Sequence, residues 1–340
     1  MPLQSHVPQL IRAPAFRSRL TPAVYGGLRR WAREIDQWLR FQDHVRFENR
    51  SRGASVLVCM LAGYKADLWP YVMPRFRAAL PDVDVCIVSP GLHNAHLAEL
   101  CAHEGWSYLS TSTNDVCLAQ NVSYAAHESA ELIVKVDEDM FLLPDSLSSL
   151  IEQYRRIKSD GIVDPGFVAP VIPVNGFCYR YLLEQLDLLD AYEAKFGRAR
   201  IAGFGVPIQL DPAAARWMWE HTAPLEETAR LLAARPVRTL LCPVQFSIGL
   251  VAFERAFWEQ IGHFPVFRRR LLAGMSTLGA DEEYICAKAV SQSRPAVVTT
   301  AAFAGHFSFG PQYAAMKSLT LDHPEYFAAM PPTGPERKTA

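Results

Sequence analysis

The sequence lacks several features that would settle its class at once. It has no CxxC pair. Its seven cysteines, Cys59, Cys86, Cys101, Cys117, Cys178, Cys242 and Cys286, are scattered, odd in number and set mostly in apolar runs. They make no disulfide framework and fit small buried thiols in a reducing compartment. No run of about 18 apolar residues is present to cross a bilayer. The longest apolar region, residues 237–253, is broken by Arg238, Pro243, Gln245 and Ser247. The N-terminal stretch has no apolar core of the signal-peptide kind. These absences lead to the expectation of a cytoplasmic protein, with peripheral contact at the inner face of a membrane left open. Excess charge is also missing: the formal net charge is −1 over 340 residues, which gives no support for a nucleic-acid partner. There is no internal repeat, and Gly203–Gly205 lacks the Gly-x-Gly-x-x-Gly spacing of a dinucleotide site.

What is present begins with an asymmetry. Residues 1–53 carry ten arginines and no lysine against four acids. Leu28, Trp31, Ile35, Trp38 and Leu39 recur at helical spacing, with Arg29, Arg33 and Arg40 between them. This predicts a basic amphipathic helix, either docked on the domain or facing an anionic surface through residues 1–45.

From residue 54 the pattern alternates. Strands are expected at 55–60, 83–88, 107–110 and 132–136. Helices are expected from Asp67 to about Leu80, over 94–104 closed by Gly105, and over 116–129. A β-α-β order of this kind implies an α/β sandwich, a mainly parallel central sheet with helices on both faces. A further helix follows Pro144 and Asp145 and ends at Gly161. Residues 160–240 are less regular, with helices near 181–196 and 212–221. Regular structure returns with a strand at 246–253, helices at 255–261 and 281–291, and a strand at 295–300. Residues 331–340 read as a tail. The expected division is residues 1–53 as an extension, 54–160 as one half, 161–330 as the other, and then the tail.

The fourth strand, Leu132–Val136, runs directly into Asp137-Glu138-Asp139. Two aspartates two residues apart at the carboxyl end of a buried strand stand where open α/β sheets bind ligands. Such a pair suits a hard divalent cation, and the cation suits a phosphate-bearing substrate.

Four local signatures, with a later histidine segment, together resemble glycosyltransferases of the GT-A fold, most like family 2, over roughly residues 54–310. Asp137-Glu138-Asp139 followed by Leu143-Pro144-Asp145 is similar to that family's Asp-x-Asp motif and its proline-led helix. Asn114, Ala119, Gln120 and Asn121 resemble an upstream element, with Gln120 where arginine is common. Ile261-Gly262-His263-Phe264 resembles the segment before the acceptor site. Gly279-Ala280-Asp281-Glu282-Glu283 stands where the family has its base motif, and Gly305-His306-Phe307-Ser308 resembles its metal-binding histidine.

The resemblance implies a metal-dependent transfer of a sugar from a nucleoside-diphosphate sugar, UDP-linked by preference, to a hydroxyl of a saccharide or lipid-linked acceptor. It implies inverting displacement and a setting such as surface polysaccharide synthesis. A Mn²⁺ or Mg²⁺ ion would be held by Asp139 first, with Asp137 deeper and His306 from the far side. Asp281 or Glu282 would take the acceptor proton, Asp281 being preferred. Donor contacts would come from Met60, Ala62 and Tyr64 after the first strand, Ser89 after the second, Asn114, Asn121, Asp137 and Glu138, with Arg269 in the Arg268-Arg269-Arg270 loop closing over the diphosphate. The acids of 281–283 also suit the first turn of any helix, and His306 alone would suit a packed histidine. Two other functions compete. A sugar-1-phosphate nucleotidyltransferase would carry a Gly-rich basic loop where Leu61-Ala62-Gly63-Tyr64-Lys65-Ala66 stands. A non-catalytic binding module on the same fold would be expected to lose the acids.

Overall fold

The computed structural model describes residues 45–266 and 279–328. The basic helix expected before residue 45, the arginine loop with Arg269 and the tail of 331–340 lie outside the described residues.

The first strand, β1 (Val45–Glu48), falls inside the stretch expected to be an extension. It pairs antiparallel with β4 and so belongs to the sheet. The alternation then proceeds as β2 (Val56–Leu61), α1 (Trp69–Ala79), β3 (Asp84–Ser89), α2 (Ala95–Glu104), β4 (Ser107–Thr111), α3 (Val116–Ala126) and β5 (Leu132–Asp137). These four strands from β2 to β5 are parallel, with order β4-β3-β2-β5. They read as near-continuous apolar runs because helices cover both faces. Each fully buried aliphatic side chain among them contributes about 1.5–3 kcal/mol.

Local chemistry explains the helix ends. Asn94 accepts from the amide of Leu97 at the start of α2, and Gly105 closes it in the left-handed conformation. Asp115 caps α3 by accepting from the amides of Cys117 and Leu118. Asp67 does not cap α1 as expected. Its carboxylate instead reaches Tyr313 and Lys317 near the C-terminus, and Leu68 holds the cap position. Pro74 lies inside α1 without ending it.

The chain continues through β6 (Met140–Leu142), α4 (Ser146–Asp160) and β7 (Phe167–Val171). The single helix expected over 181–196 is two, α5 (Cys178–Gln185) and α6 (Leu189–Phe196), because Asp187 between them takes a positive φ of 58°. Next come α7 (Pro207–Leu210), α8 (Pro212–Thr222), α9 (Leu225–Ala233), β8 (Thr239–Cys242), β9 (Leu250–Glu254) and α10 (Arg255–Ile261). The described chain closes with α11 (Ala280–Ser291), β10 (Ala296–His306), α12 (Gly310–Asp322) and a short 3₁₀ helix (Pro324–Tyr326).

One ten-stranded sheet runs β1-β4-β3-β2-β5-β9-β7-β10-β6, with β8 also on β10. β9 joins β5 antiparallel, and β10 joins β7 parallel. β10 extends well past its expected end at Thr300. Its register on β7 shifts between Thr299 and Phe303, and its last residues pair instead with β6.

That last pairing positions the site. β6 begins one residue after the acidic turn, and His306 is opposite Met140 in its register. The amide of Phe307 donates to the carbonyl of Asp139 at 3.0 Å. An aromatic cluster fixes the pairing from behind. Phe141 lies 5.3 Å from Trp219 and 5.2 Å from Phe327, and the Trp219 indole donates to the Phe307 carbonyl. Gly305 is required there, since a Cβ would stand 2.8 Å from Leu225 and 2.9 Å from Trp219. All seven cysteines are buried and unpaired, as expected of small core residues. Among the described residues no helix is long and apolar enough to cross a membrane.

Candidate functional site

In the order β4-β3-β2-β5, the chain leaves β2 toward β3 on one side and later arrives at β5 on the other. The carboxyl ends of β2 and β5 therefore flank a topological switch point, where such sheets open a crevice. In register, Leu61 ends β2 beside Asp137 at the end of β5. A cavity of about 630 Å³ opens there.

The three acids of the turn have different partners. Asp137 ion-pairs with Lys135 at 2.7 Å. Residues two apart on a strand share a face, and Lys135 is buried, donating also to the Ile248 carbonyl. Burial opposes the charge of Lys135, but Asp137 and Asp281 outweigh it and hold the ammonium above the ordinary lysine range. Burial and the charge of Asp139 push Asp137 up, against the pull of Lys135. Gly249 permits the close approach of β9's entry: its carbonyl accepts from the Asp137 amide, and a Cβ on it would meet the Met140 sulfur at 2.8 Å.

Glu138 lines the cavity, but its carboxylate is engaged within the protein. It accepts from the amides of Gly63 and Tyr64 and from the Trp69 indole at 2.8–2.9 Å. It thus braces the loop after β2. Tyr64 completes that loop by donating to the Pro90 carbonyl after β3.

Asp139 is 2 % exposed. Its Oδ2 ion-pairs with the Lys65 ammonium and faces His306 Nε2 at 3.4 Å. Burial would raise this carboxyl, but Lys65 and His306 more than reverse it and hold it well below the usual carboxylate range. The Val174 carbonyl, 3.2 Å from His306 Nδ1, fixes a hydrogen on that nitrogen and turns Nε2 toward Asp139.

A second wall comes from the entry to β9 and the start of α11, with Ser247, Gly249 and Glu282 on the cavity. Glu282 accepts from Gln245 Nε2 at 2.8 Å. Burial raises its carboxyl above the ordinary glutamate range, against the hydrogen bond from Gln245. Asp281, the preferred base on sequence grounds, is buried instead. Its Oδ2 accepts from Gln120 at 2.8 Å, and it does not reach the cavity wall. One residue of helix is a turn of about 100°, enough to send neighbouring acids to the core and to the cleft.

Of the other expected contacts, Ala62, Tyr64 and Asn114 line the cavity. Met60 is fully buried in β2, and Ser89 at the end of β3 is equally buried. Asn121 is behind the wall. Its amide donates to the Phe264 carbonyl and accepts from the Phe264 amide and the Trp258 indole, so it braces the chain after α10.

Lys65, Lys135 and Gln245 were not among the expected site residues. Lys135 was legible, being a lysine in an apolar strand two residues before an aspartate. Lys65 had a weaker signal, a lone cation in the loop after the first strand. Gln245 had none.

Among the described residues no three His, Cys, Asp or Glu side chains converge into a closed metal cage. Asp139 Oδ2 and His306 Nε2 form an open pair, one hard oxygen and one imidazole, already joined by a cation in Lys65. This fits a Mn²⁺ or Mg²⁺ ion that takes its remaining ligands from substrate phosphates and water.

No family model matches the chain, and no curated protein matches it in sequence. Solved structures of similar shape include a mannosyltransferase from Pyrobaculum calidifontis in complex with GDP-Man and Mn²⁺. It has a TM-score of 0.44 and 15 % identity, over 97 % of this chain and 78 % of that one. They also include GalNAc-T7 with UDP, GalNAc and Mn²⁺, with a TM-score of 0.41 and 12 % identity, over 76 % of this chain and 45 % of that one. At such distances the chemistry has to be read from the site itself.

Proposed function

We propose that the chain is a metal-dependent glycosyltransferase. It moves a sugar from a nucleoside-diphosphate sugar to a hydroxyl of a saccharide or lipid-linked acceptor, with inversion. One observation carries this reading. A buried Asp139 faces His306 and Lys65 at the switch-point crevice, and the raised carboxylate of Glu282 borders the same cavity.

The residues divide the work. Ala62, Tyr64, Pro90 and Asn114 enclose the nucleoside end of the cavity, and Glu138 holds the loop of Ala62 and Tyr64 in place. Asp139 and His306 would hold the divalent ion. When bound, that ion neutralises the charge that develops on the departing diphosphate. Lys135 keeps Asp137 paired, so that one acid of the turn is neutralised from within the protein. Glu282 accepts the proton of the acceptor hydroxyl as its oxygen bonds to the anomeric carbon and the bond to the diphosphate breaks. A carboxylate raised toward neutrality is a stronger base for that step than an ordinary surface glutamate.

The test is a thermal-shift series with UDP-, GDP- and CMP-sugars, each with and without Mn²⁺. Stabilisation by one nucleotide class that grows with Mn²⁺ is expected. No response to the UDP- or GDP-sugars would reject the reading, as would a response to the CMP-sugar alone, which carries no diphosphate; a UDP-linked donor is the first choice.

A further inference from the structure

Asp139 Oδ2 is shared. His306 Nε2 faces it, and the Lys65 ammonium is paired with it, so a cation of the protein already sits where a divalent ion would bind. Lys65 is not loosely placed. Its loop is pinned by Glu138 through the amides of Gly63 and Tyr64. Its ammonium lies 5.1 Å from the centre of the Tyr313 ring on α12. Tyr313 in turn donates to Asp67, which also pairs with Lys317 at 3.3 Å. Helix α12 thus flanks Lys65 at the cavity edge from the other side.

The charge of the cleft gives this lysine a task. Asp137, Glu138, Asp139 and Glu282 all border the cavity, and a diphosphate adds further negative charge. Lys135 is committed, being buried on Asp137 and the Ile248 carbonyl. Lys65 is a quarter exposed along its side chain and carries its charge on a flexible four-carbon stem. Its ammonium has three donors, and Asp139 is its hydrogen-bond acceptor.

We propose that Lys65 is an exchangeable counter-ion of the donor site: it holds Asp139 Oδ2 while the donor is absent, and releases it to bind the donor's diphosphate. The proposal rests on the nucleoside-diphosphate reading above. Lys65 and a divalent ion then compete for one oxygen, and the diphosphate relieves the competition by giving Lys65 another partner. Metal and nucleotide therefore bind with positive coupling, which Lys65 transmits.

Lys65→Met keeps the stem and removes the charge; Lys65→Arg keeps the charge. Both are made in the full chain, and circular dichroism checks the fold. Mn²⁺ binding without nucleotide is read by electron paramagnetic resonance. UDP and GDP binding, with and without Mn²⁺, is read by calorimetry. Lys65→Met is expected to bind Mn²⁺ alone about tenfold more tightly or better, since a charge-assisted pair no longer has to be broken. The same variant is expected to bind the nucleoside diphosphate about tenfold more weakly at saturating Mn²⁺, while Lys65→Arg retains it. Unchanged Mn²⁺ affinity in Lys65→Met overturns the proposal, even if nucleotide binding falls. Unchanged nucleotide affinity overturns it equally. If the unsubstituted chain takes up neither UDP nor GDP with Mn²⁺, the donor-site reading itself fails, and this proposal with it.

Discussion

The chain holds two acidic triplets, Asp137-Glu138-Asp139 and Asp281-Glu282-Glu283, and they use the same composition in opposite ways. The first closes a strand and turns directly into the short β6. All three of its side chains border the cavity, and each is held by different partners: Asp137 by Lys135, Glu138 by the loop amides and Trp69, and Asp139 by Lys65 and His306. The second opens a helix. There each step rotates the side chain by about 100°, and the acids part company: Asp281 into the core against Gln120, Glu282 onto the cavity, Glu283 into solvent. An extended turn concentrates charge on one site, whereas a helical turn spends one acid on each environment. Only in the first case does the motif as a whole describe the site.

The strongest way to break this comparison is Asp139→Asn. If the strand-end triplet is the cation site, Mn²⁺-dependent nucleotide binding disappears and transfer falls on the order of 10²–10³-fold, while circular dichroism shows the fold intact. Calorimetry with UDP or GDP and a turnover assay read the two effects. Mn²⁺-stimulated turnover at the original rate would sink the assignment.

The next largest effects should fall on Glu282. Glu282→Gln is expected to slow transfer on the order of 10²–10⁴-fold with donor affinity unchanged. Burial raises the Glu282 carboxyl, so the acid limb of the rate profile should lie above the ordinary glutamate range and vanish in the variant. Stability should move the other way. A raised carboxyl contributes stability at pH below its ordinary value and loses it as pH rises through its folded-state value. Glu282→Gln should therefore be at least as stable as the parent at neutral pH, with the difference closing in acid. Normal transfer by this variant would remove Glu282 from the mechanism.

Asp281→Ala should act on the fold instead. It leaves the Gln120 amide without its buried carboxylate partner, at a cost of about 1–3 kcal/mol in chemical denaturation. Gln120 also accepts from the Tyr124 hydroxyl, so the loss extends into the packing of α3. Loss of transfer with full stability would reverse the roles given to the two acids.

The comparison also explains what could be read from residues alone. The parallel half was legible because β2, β3 and β5 are mainly apolar runs separated by helices, with a visible helix start at Asn94 and end at Gly105. The acidic turn was legible because Asp137 and Asp139 interrupt that pattern at the strand end where ligands bind. Assigning Asp281 rather than Glu282 to the cavity depended on the phase of α11, and a helix's phase is set by what it packs against. Lys65 depended on contacts with residues 74 positions downstream and on a helix still further along. His306 was legible by resemblance only. The bend in β10 that carries it to β6 follows from aromatic packing around Trp219 and Phe327, which has no period in the sequence. β1, β6, β7 and β8 are short, or interrupted by charge or proline, and were not foreseen.

The smallest effect is the sharpest control on the helical half. Glu283 follows Glu282 immediately and is exposed. Its carboxylate stands in the first turn of α11, where a negative charge is favoured by the helix dipole to the extent of a few tenths of a kcal/mol at an exposed position. Glu283→Gln should therefore shift the denaturation midpoint only slightly, within about 0.5 kcal/mol, and leave transfer and its pH profile as they were. Because it removes the same charge one residue away, it separates a proton acceptor from a general acidic field around the site. A field would weaken alike with either substitution, whereas a proton acceptor is lost only at position 282. If Glu283→Gln slowed transfer as Glu282→Gln does, the start of α11 would have to be rotated by about one residue when substrate is bound, and the acids of the second triplet would exchange their surroundings.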